Sequence, residues 1–67
     1  MIPLIINGRD ESLDAETPIT AFLAARAINP KLVAVARNGE VVQRGDYATT
    51  LLRAGDVVEI VRAVGGG

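Results

Sequence analysis

Val57-Val58-Glu59-Ile60-Val61-Arg62-Ala63-Val64-Gly65-Gly66-Gly67 closes the sequence, and the rest of the chain is read outward from it. Val57 to Val64 is rich in β-branched residues and reads as the last strand. Side chains alternate across a strand, which separates Val58, Ile60 and Arg62 from Val57, Glu59 and Val61. Val58 and Ile60 suit a face covered by a helix. Val57 and Val61, with Glu59 between them, then lie on an open face, where an aliphatic patch holding a charge suits a partner. The alternative there is ordinary scattered surface hydrophobicity. Glycine has no Cβ, so residues 65–67 give a core nothing to pack and cost entropy to order. They read as a tail beyond a domain of residues 1–64. What the tail offers is a slender backbone ending in the Gly67 α-carboxylate, ionised at neutral pH because its reference pKa is roughly 3.3–3.7. A merely frayed terminus is the alternative reading.

Two Asn-Gly pairs punctuate the chain upstream. Both residues tolerate positive φ, which makes the pair the strongest short hairpin signal. Asn7-Gly8 follows the run Pro3-Leu4-Ile5-Ile6, and Arg9 to Leu13 returns as a more polar edge strand. Asn38-Gly39 follows Leu32-Val33-Ala34-Val35-Ala36, and Glu40-Val41-Val42 returns. The near-continuous apolar character of residues 32–36 predicts a central strand buried on both faces. Between the hairpins, Thr17 is placed to cap a helix, with Pro18 at its first position. Ile19, Phe22, Leu23 and Ala27 form its apolar stripe, and Asn29-Pro30 stops it. Thr20, Ala24 and Arg26 fall on the surface. Gly45-Asp46 and Gly55-Asp56 mark turns, and Thr49 to Leu52 suits one helical turn under the sheet. The order is β-β-α-β-β-(short helix)-β. One helix can cover one face of a small sheet, giving an α+β fold with Phe22, Leu23, Val35, Val58 and Ile60 in its core.

Composition narrows the chemistry. The 67 residues suffice for one small domain, and aromatics are only 3% of the chain, so the core is aliphatic. The net charge of −1 argues against a nucleic-acid partner. The chain has no cysteine and no histidine, which removes thiolate and imidazole metal ligands, a thiol nucleophile and the commonest general base. Asp10, Glu11, Asp14, Glu16, Glu40, Asp46, Asp56 and Glu59 are scattered beside turns and read as solvated carboxylates rather than a catalytic pair. Neither a membrane-length apolar run nor a leader-like start is present, so a soluble, cytoplasmic domain without metal or cofactor is expected.

A β-grasp order ending in Gly-Gly resembles the ubiquitin-like proteins. The stretches Val33-Ala34-Val35-Ala36-Arg37-Asn38-Gly39-Glu40-Val41-Val42 and Leu52-Arg53-Ala54-Gly55-Asp56-Val57-Val58-Glu59-Ile60-Val61, followed by the terminal glycines, resemble the ThiS family of thiamine-biosynthesis sulfur carriers. The terminal glycines alone are shared with the molybdopterin synthase small subunit and other carriers. The resemblance implies a non-enzymatic co-substrate. A ThiF-type adenylating enzyme uses ATP to turn the Gly67 carboxylate into an acyl-adenylate. A persulfide drawn from cysteine by a desulfurase displaces AMP and leaves a thiocarboxylate. Thiazole synthase then takes the sulfur. On this reading Gly66 and Gly67 carry the chemistry, while Val57, Glu59, Val61 and Gly65 meet the partners. Sulfur delivery to molybdopterin or tRNA, and ubiquitin-like conjugation to lysines, remain open alternatives. The residues agree on separate grounds: the chain lacks the Gly-x-x-x-x-Gly-Lys phosphate loop, so activation of its carboxylate must come from a partner. Lacking cysteine, it has no side chain that can hold a persulfide.

Overall fold

The computed structural model describes residues 1–62. Its strands are β1 (Ile2–Ile6), β2 (Arg9–Leu13), β3 (Thr17–Pro18), β4 (Val33–Arg37), β5 (Glu40–Val42), β6 (Leu51–Leu52) and β7 (Val57–Arg62), with one described α-helix, α1 (Ile19–Ala25), after β3 and 3-10 helices at Pro30–Leu32 and Arg44–Asp46. The main sheet runs β2-β1-β7-β4-β5, and β3 pairs with β6 in a separate two-stranded ribbon. β1 and β7 are parallel, with Ile5 opposite Val57 and Ile6 opposite Val58, while β4 runs antiparallel to β7. The last strand is therefore the middle of the sheet, as a β-grasp requires. The continuation of that strand to Ala63 and Val64, and residues 65–67, lie outside the described residues.

Both Asn-Gly pairs form the expected tight turns, with φ of 52° and 79° at Asn7 and Gly8 and of 53° and 86° at Asn38 and Gly39. Each asparagine has a second function that its turn position did not announce. The Asn7 Oδ1 accepts from the Ile60 N–H at 2.8 Å, and the Asn38 Oδ1 accepts from the Val57 N–H at 2.8 Å. β1 and β4 turn away there, so the two amides continue the ladder of the central strand and satisfy backbone donors that the hairpins leave behind.

Several sequence expectations are corrected. Thr17 does not cap α1: it lies in the β3–β6 ribbon, its hydroxyl donates to the Ala15 carbonyl, and Pro18 is the residue before the helix. The first helical N–H groups go instead to backbone, Ile19 to the Thr50 carbonyl and Thr20 to the Tyr47 carbonyl. Residues 49–52 make no helical turn; Leu51–Leu52 is extended, and the short 3-10 helix comes earlier, at Arg44–Asp46. β4 is not buried on both faces, because α1 covers only one: Val33 and Val35 are buried, Ala34 is exposed and Ala36 half-buried. Leu32 is exposed and precedes the strand.

The helix also ends before Asn29-Pro30. Arg26 caps it, Ala27 takes φ 56°, and the N–H groups of Ala27 and Ile28 return to the Ala24 and Leu23 carbonyls. This is a Schellman ending with alanine where glycine is usual. Ala27 therefore belongs to the stop rather than to the apolar stripe. Ala27→Gly is expected to raise stability by up to about 1 kcal/mol, the left-handed cost of a Cβ less the added freedom of the unfolded chain. Urea midpoints of the two proteins measure it.

The core joins Leu4, Ile6, Ile19, Phe22, Leu23, Val33, Val35, Tyr47, Leu52 and Val58. Four of the five core residues expected from sequence are fully buried, and Ile60 is half-buried against them. Tyr47 was missed, since it stands in an aperiodic stretch. Asp56 reverses its expectation: it is 5% exposed rather than solvated. Its carboxylate accepts from the Arg37 Nε at 2.8 Å, the Arg53 N–H at 2.7 Å and the Asn38 Nδ2 at 3.1 Å. Burial is the largest single influence and pushes its pKa up, but the Arg37, Arg53 and Asn38 donors together hold it below the ordinary carboxylate value. A lowered folded pKa contributes stability that is present above the unfolded pKa and disappears as pH falls through the folded one. The wild type should thus lose stability from about pH 4 downward. Asp56→Asn should be weaker at neutral pH by roughly 1–3 kcal/mol and show a shallower acid limb. Urea titrations between neutral and acid pH test both features.

Candidate functional site

The site is built on β7, because that strand delivers the chain to its glycines. β7 is fastened on both sides by β1 and β4, at its start by the Asp56 cluster and at Ile60 by Asn7. Strand pleating then sorts its residues. Val58, Ile60 and Arg62 share the helix-covered face, with Ile60 opposite Val35 and Arg62 opposite Val33. Val57, Glu59 and Val61 line the other face, which no described element covers, and Val57 and Val61 are 45% and 56% exposed. The structure therefore brings these three predicted contact residues together in one row. Gly65, Gly66 and Gly67 lie outside the described residues, so their part in the site rests on sequence chemistry.

The register adds residues that single-strand reading missed. Ala34 stands opposite Val61, Ala36 opposite Glu59, and Val41 opposite Ala36 on the neighbouring strand. Together with Val61 and Glu59 they shape a shallow groove of about 170 Å³ on the open face. The alanines are what make the groove: their short side chains leave a trough between the flanking valines. The signal was present as alternation in residues 33–37, but it becomes legible only once β4 is known to run antiparallel to β7.

Glu11 is ion-paired to Arg26 across the end of the helix, and the Arg26 hydrogen bond holds its pKa below the usual carboxylate range. Arg26 also lies over the Phe22 ring, 4.6 Å from its centroid. Among the described residues no group of three or more His, Cys, Asp or Glu is placed to hold a metal ion, and no helix is long and apolar enough to cross a membrane.

The family model of ThiS matches residues 4–67, nearly the full sequence. The chain belongs to the ThiS family. Its fold agrees: the crystal structure of the thiamine biosynthesis protein ThiS from Geobacter metallireducens superposes with a TM-score of 0.86 at 32% identity, over 98% of this chain and 100% of that one. The sulfur carrier protein ThiS of Bacillus subtilis is 38% identical over 65 residues, covering 96% of this chain and 98% of its own length. Two thiazole synthases also match, from Paramagnetospirillum magneticum at 38% identity and Magnetococcus marinus at 37%, through segments that are 20% and 19% of their lengths. The chain thus spans about a fifth of each of these two relatives, which carry a ThiS-like segment within a longer polypeptide.

Proposed function

We propose that this ThiS family member is a cytoplasmic sulfur carrier for thiazole formation in thiamine biosynthesis, consumed and regenerated as a co-substrate rather than acting as an enzyme. The observation that carries the reading is the family match running through the terminal glycines to Gly67 on a β-grasp whose central strand leads into them. The chemistry follows from the reactive group. A carboxylate is a poor electrophile, so a ThiF-type adenylating enzyme joins it to AMP from ATP with loss of pyrophosphate. A persulfide sulfur supplied by a cysteine desulfurase attacks the carbonyl and expels AMP. Reductive cleavage of the resulting acyl disulfide by a thiol leaves the thiocarboxylate on Gly67, and thiazole synthase accepts its sulfur. Glycines 65–67 allow the backbone to enter a narrow, water-excluding channel, which an acyl-adenylate needs to avoid hydrolysis.

Incubation with adenylating enzyme, ATP, a persulfide source and a thiol is the test. The intact mass should rise by one oxygen-for-sulfur exchange, and fragmentation should place that exchange on Gly67. An unchanged mass, under conditions that load an established carrier, would overturn the proposal.

In this account the open face of Val57, Glu59 and Val61 docks on the adenylating enzyme, with Gly65 leading into its channel. Val61→Asp introduces a charge into the groove without touching the core, so stability should change by less than about 1 kcal/mol. Adenylation at limiting carrier should fall severalfold. A rate equal to wild type would remove this face from the account.

A further inference from the structure

On the helix-covered side of the sheet, α1 and the strands differ in length. Seven residues of helix extend about 10 Å, whereas the six residues of β7 extend about 20 Å. The Ala27 stop leaves the last part of that face without a helix over it. The result is an open cleft of about 510 Å³ beside the end of β7, within the size range of ligand-binding clefts. Its floor is apolar and includes Phe22 and the half-buried Ile60, while Arg9, Arg26 and Arg62 stand on its rim with a single carboxylate, Glu11. Arg9 lies opposite Ile6 in the β1–β2 hairpin, and Arg62 opposite Val33, so strand register rather than chance places both on this face. Arg26 is already held by Phe22 and Glu11. The cationic rim is local, since the whole chain carries a net charge of −1.

We propose that this cleft is a second docking site, opposite the open face, and that it receives a segment of the thiazole synthase carrying an apolar side chain flanked by carboxylates. Charge complementarity selects the acidic flanks and the Phe22–Ile60 floor selects the apolar anchor. The thiazole synthase is the partner whose relatives hold a ThiS-like segment in the same polypeptide. The cleft also adjoins Ile60 and Arg62 at the end of β7, the strand from which the sequence continues to Gly67. The inference rests on the proposed carrier function for the identity of the partner.

The experiment measures binding of the unloaded carrier to purified thiazole synthase by calorimetry at low and high salt. It uses the wild type, Arg9→Gln/Arg62→Gln and Arg9→Glu/Arg62→Glu, each checked by circular dichroism. The charge reversal should raise Kd by about tenfold or more, the neutral pair by less, and salt should weaken the wild type most. In the amide NMR spectrum of the wild-type carrier, thiazole synthase should shift the Arg9 and Ile60 signals. Equal Kd for the folded wild type and the charge reversal, or no binding by the wild type, would overturn the proposal. So would inorganic phosphate or ATP alone shifting the same amides and competing with the synthase, which would make the cleft a small-anion site. Sulfur loading of Gly67, measured separately by mass, reports on the carrier function itself. A carrier that loads but whose Kd ignores the rim loses only the cleft.

Discussion

A carrier with one residue appended after Gly67 is expected to load no sulfur at all. The activated atom is the terminal carbonyl carbon, and an added residue turns that carbonyl into an unreactive amide while moving the free carboxylate one residue farther out. One extended residue is about 3.3–3.6 Å, and misplacement of a reacting centre by about 1 Å is already enough to cost about 100-fold in rate. Gly66→Val tests the slenderness of the tail by a different route. A β-branched side chain next to the terminus should lower adenylation by at least about tenfold through exclusion from the channel, while stability stays within about 0.5 kcal/mol of wild type. Pyrophosphate release, followed at several carrier concentrations, separates the two: the extension should abolish turnover even at saturation. Turnover by the extended chain equal to wild type would show that the terminus is not the reacting group.

Phe22→Ala should have the largest effect on folding, a loss of roughly 3–5 kcal/mol. Phe22 is 3% exposed in a core whose other members, Tyr47 apart, are aliphatic, so its removal leaves a large cavity at the centre of the packing. The substitution also removes the surface on which Arg26 rests. In a domain this small the loss approaches the whole folding free energy, so the variant should be largely unfolded at growth temperatures. Chemical denaturation at low temperature, with the wild type alongside, reads the difference. A midpoint equal to wild type would contradict the packing of α1 on the sheet described here.

The Ile60 amide illustrates how far local sequence reaches. That residues 57–62 form a strand, that Asn-Gly pairs close two hairpins, and that Ile19, Phe22 and Leu23 share a helical stripe all follow from short-range rules of side-chain period and turn geometry. Those rules also separated Val57, Glu59 and Val61 from Val58, Ile60 and Arg62 before any partner strand was known. The ThiS family resemblance, carried by residues 33–42 and 52–61 with the glycine tail, is likewise a property of the sequence.

What needed the tertiary structure has one common cause: groups distant in sequence satisfy one another. Thr17 had good capping chemistry, but carbonyls from residues 47 and 50 reach the helix start first. Asp56 looked like a solvated turn residue, yet Arg37 and Asn38 arrive from the neighbouring hairpin and make its burial tolerable. Ala34 and Ala36 read as core until the single α-helix was seen to cover one face only, which turned them into the floor of an open groove. The cleft ringed by Arg9, Arg26 and Arg62 joins three segments that no periodicity connects. Sequence alone determined the five strands of the main sheet, the helix between the hairpins and that the chain carries a ThiS-like glycine terminus. Only the fold decided which polar groups are buried together and which surfaces remain for partners, because both depend on pairings between residues up to 53 positions apart.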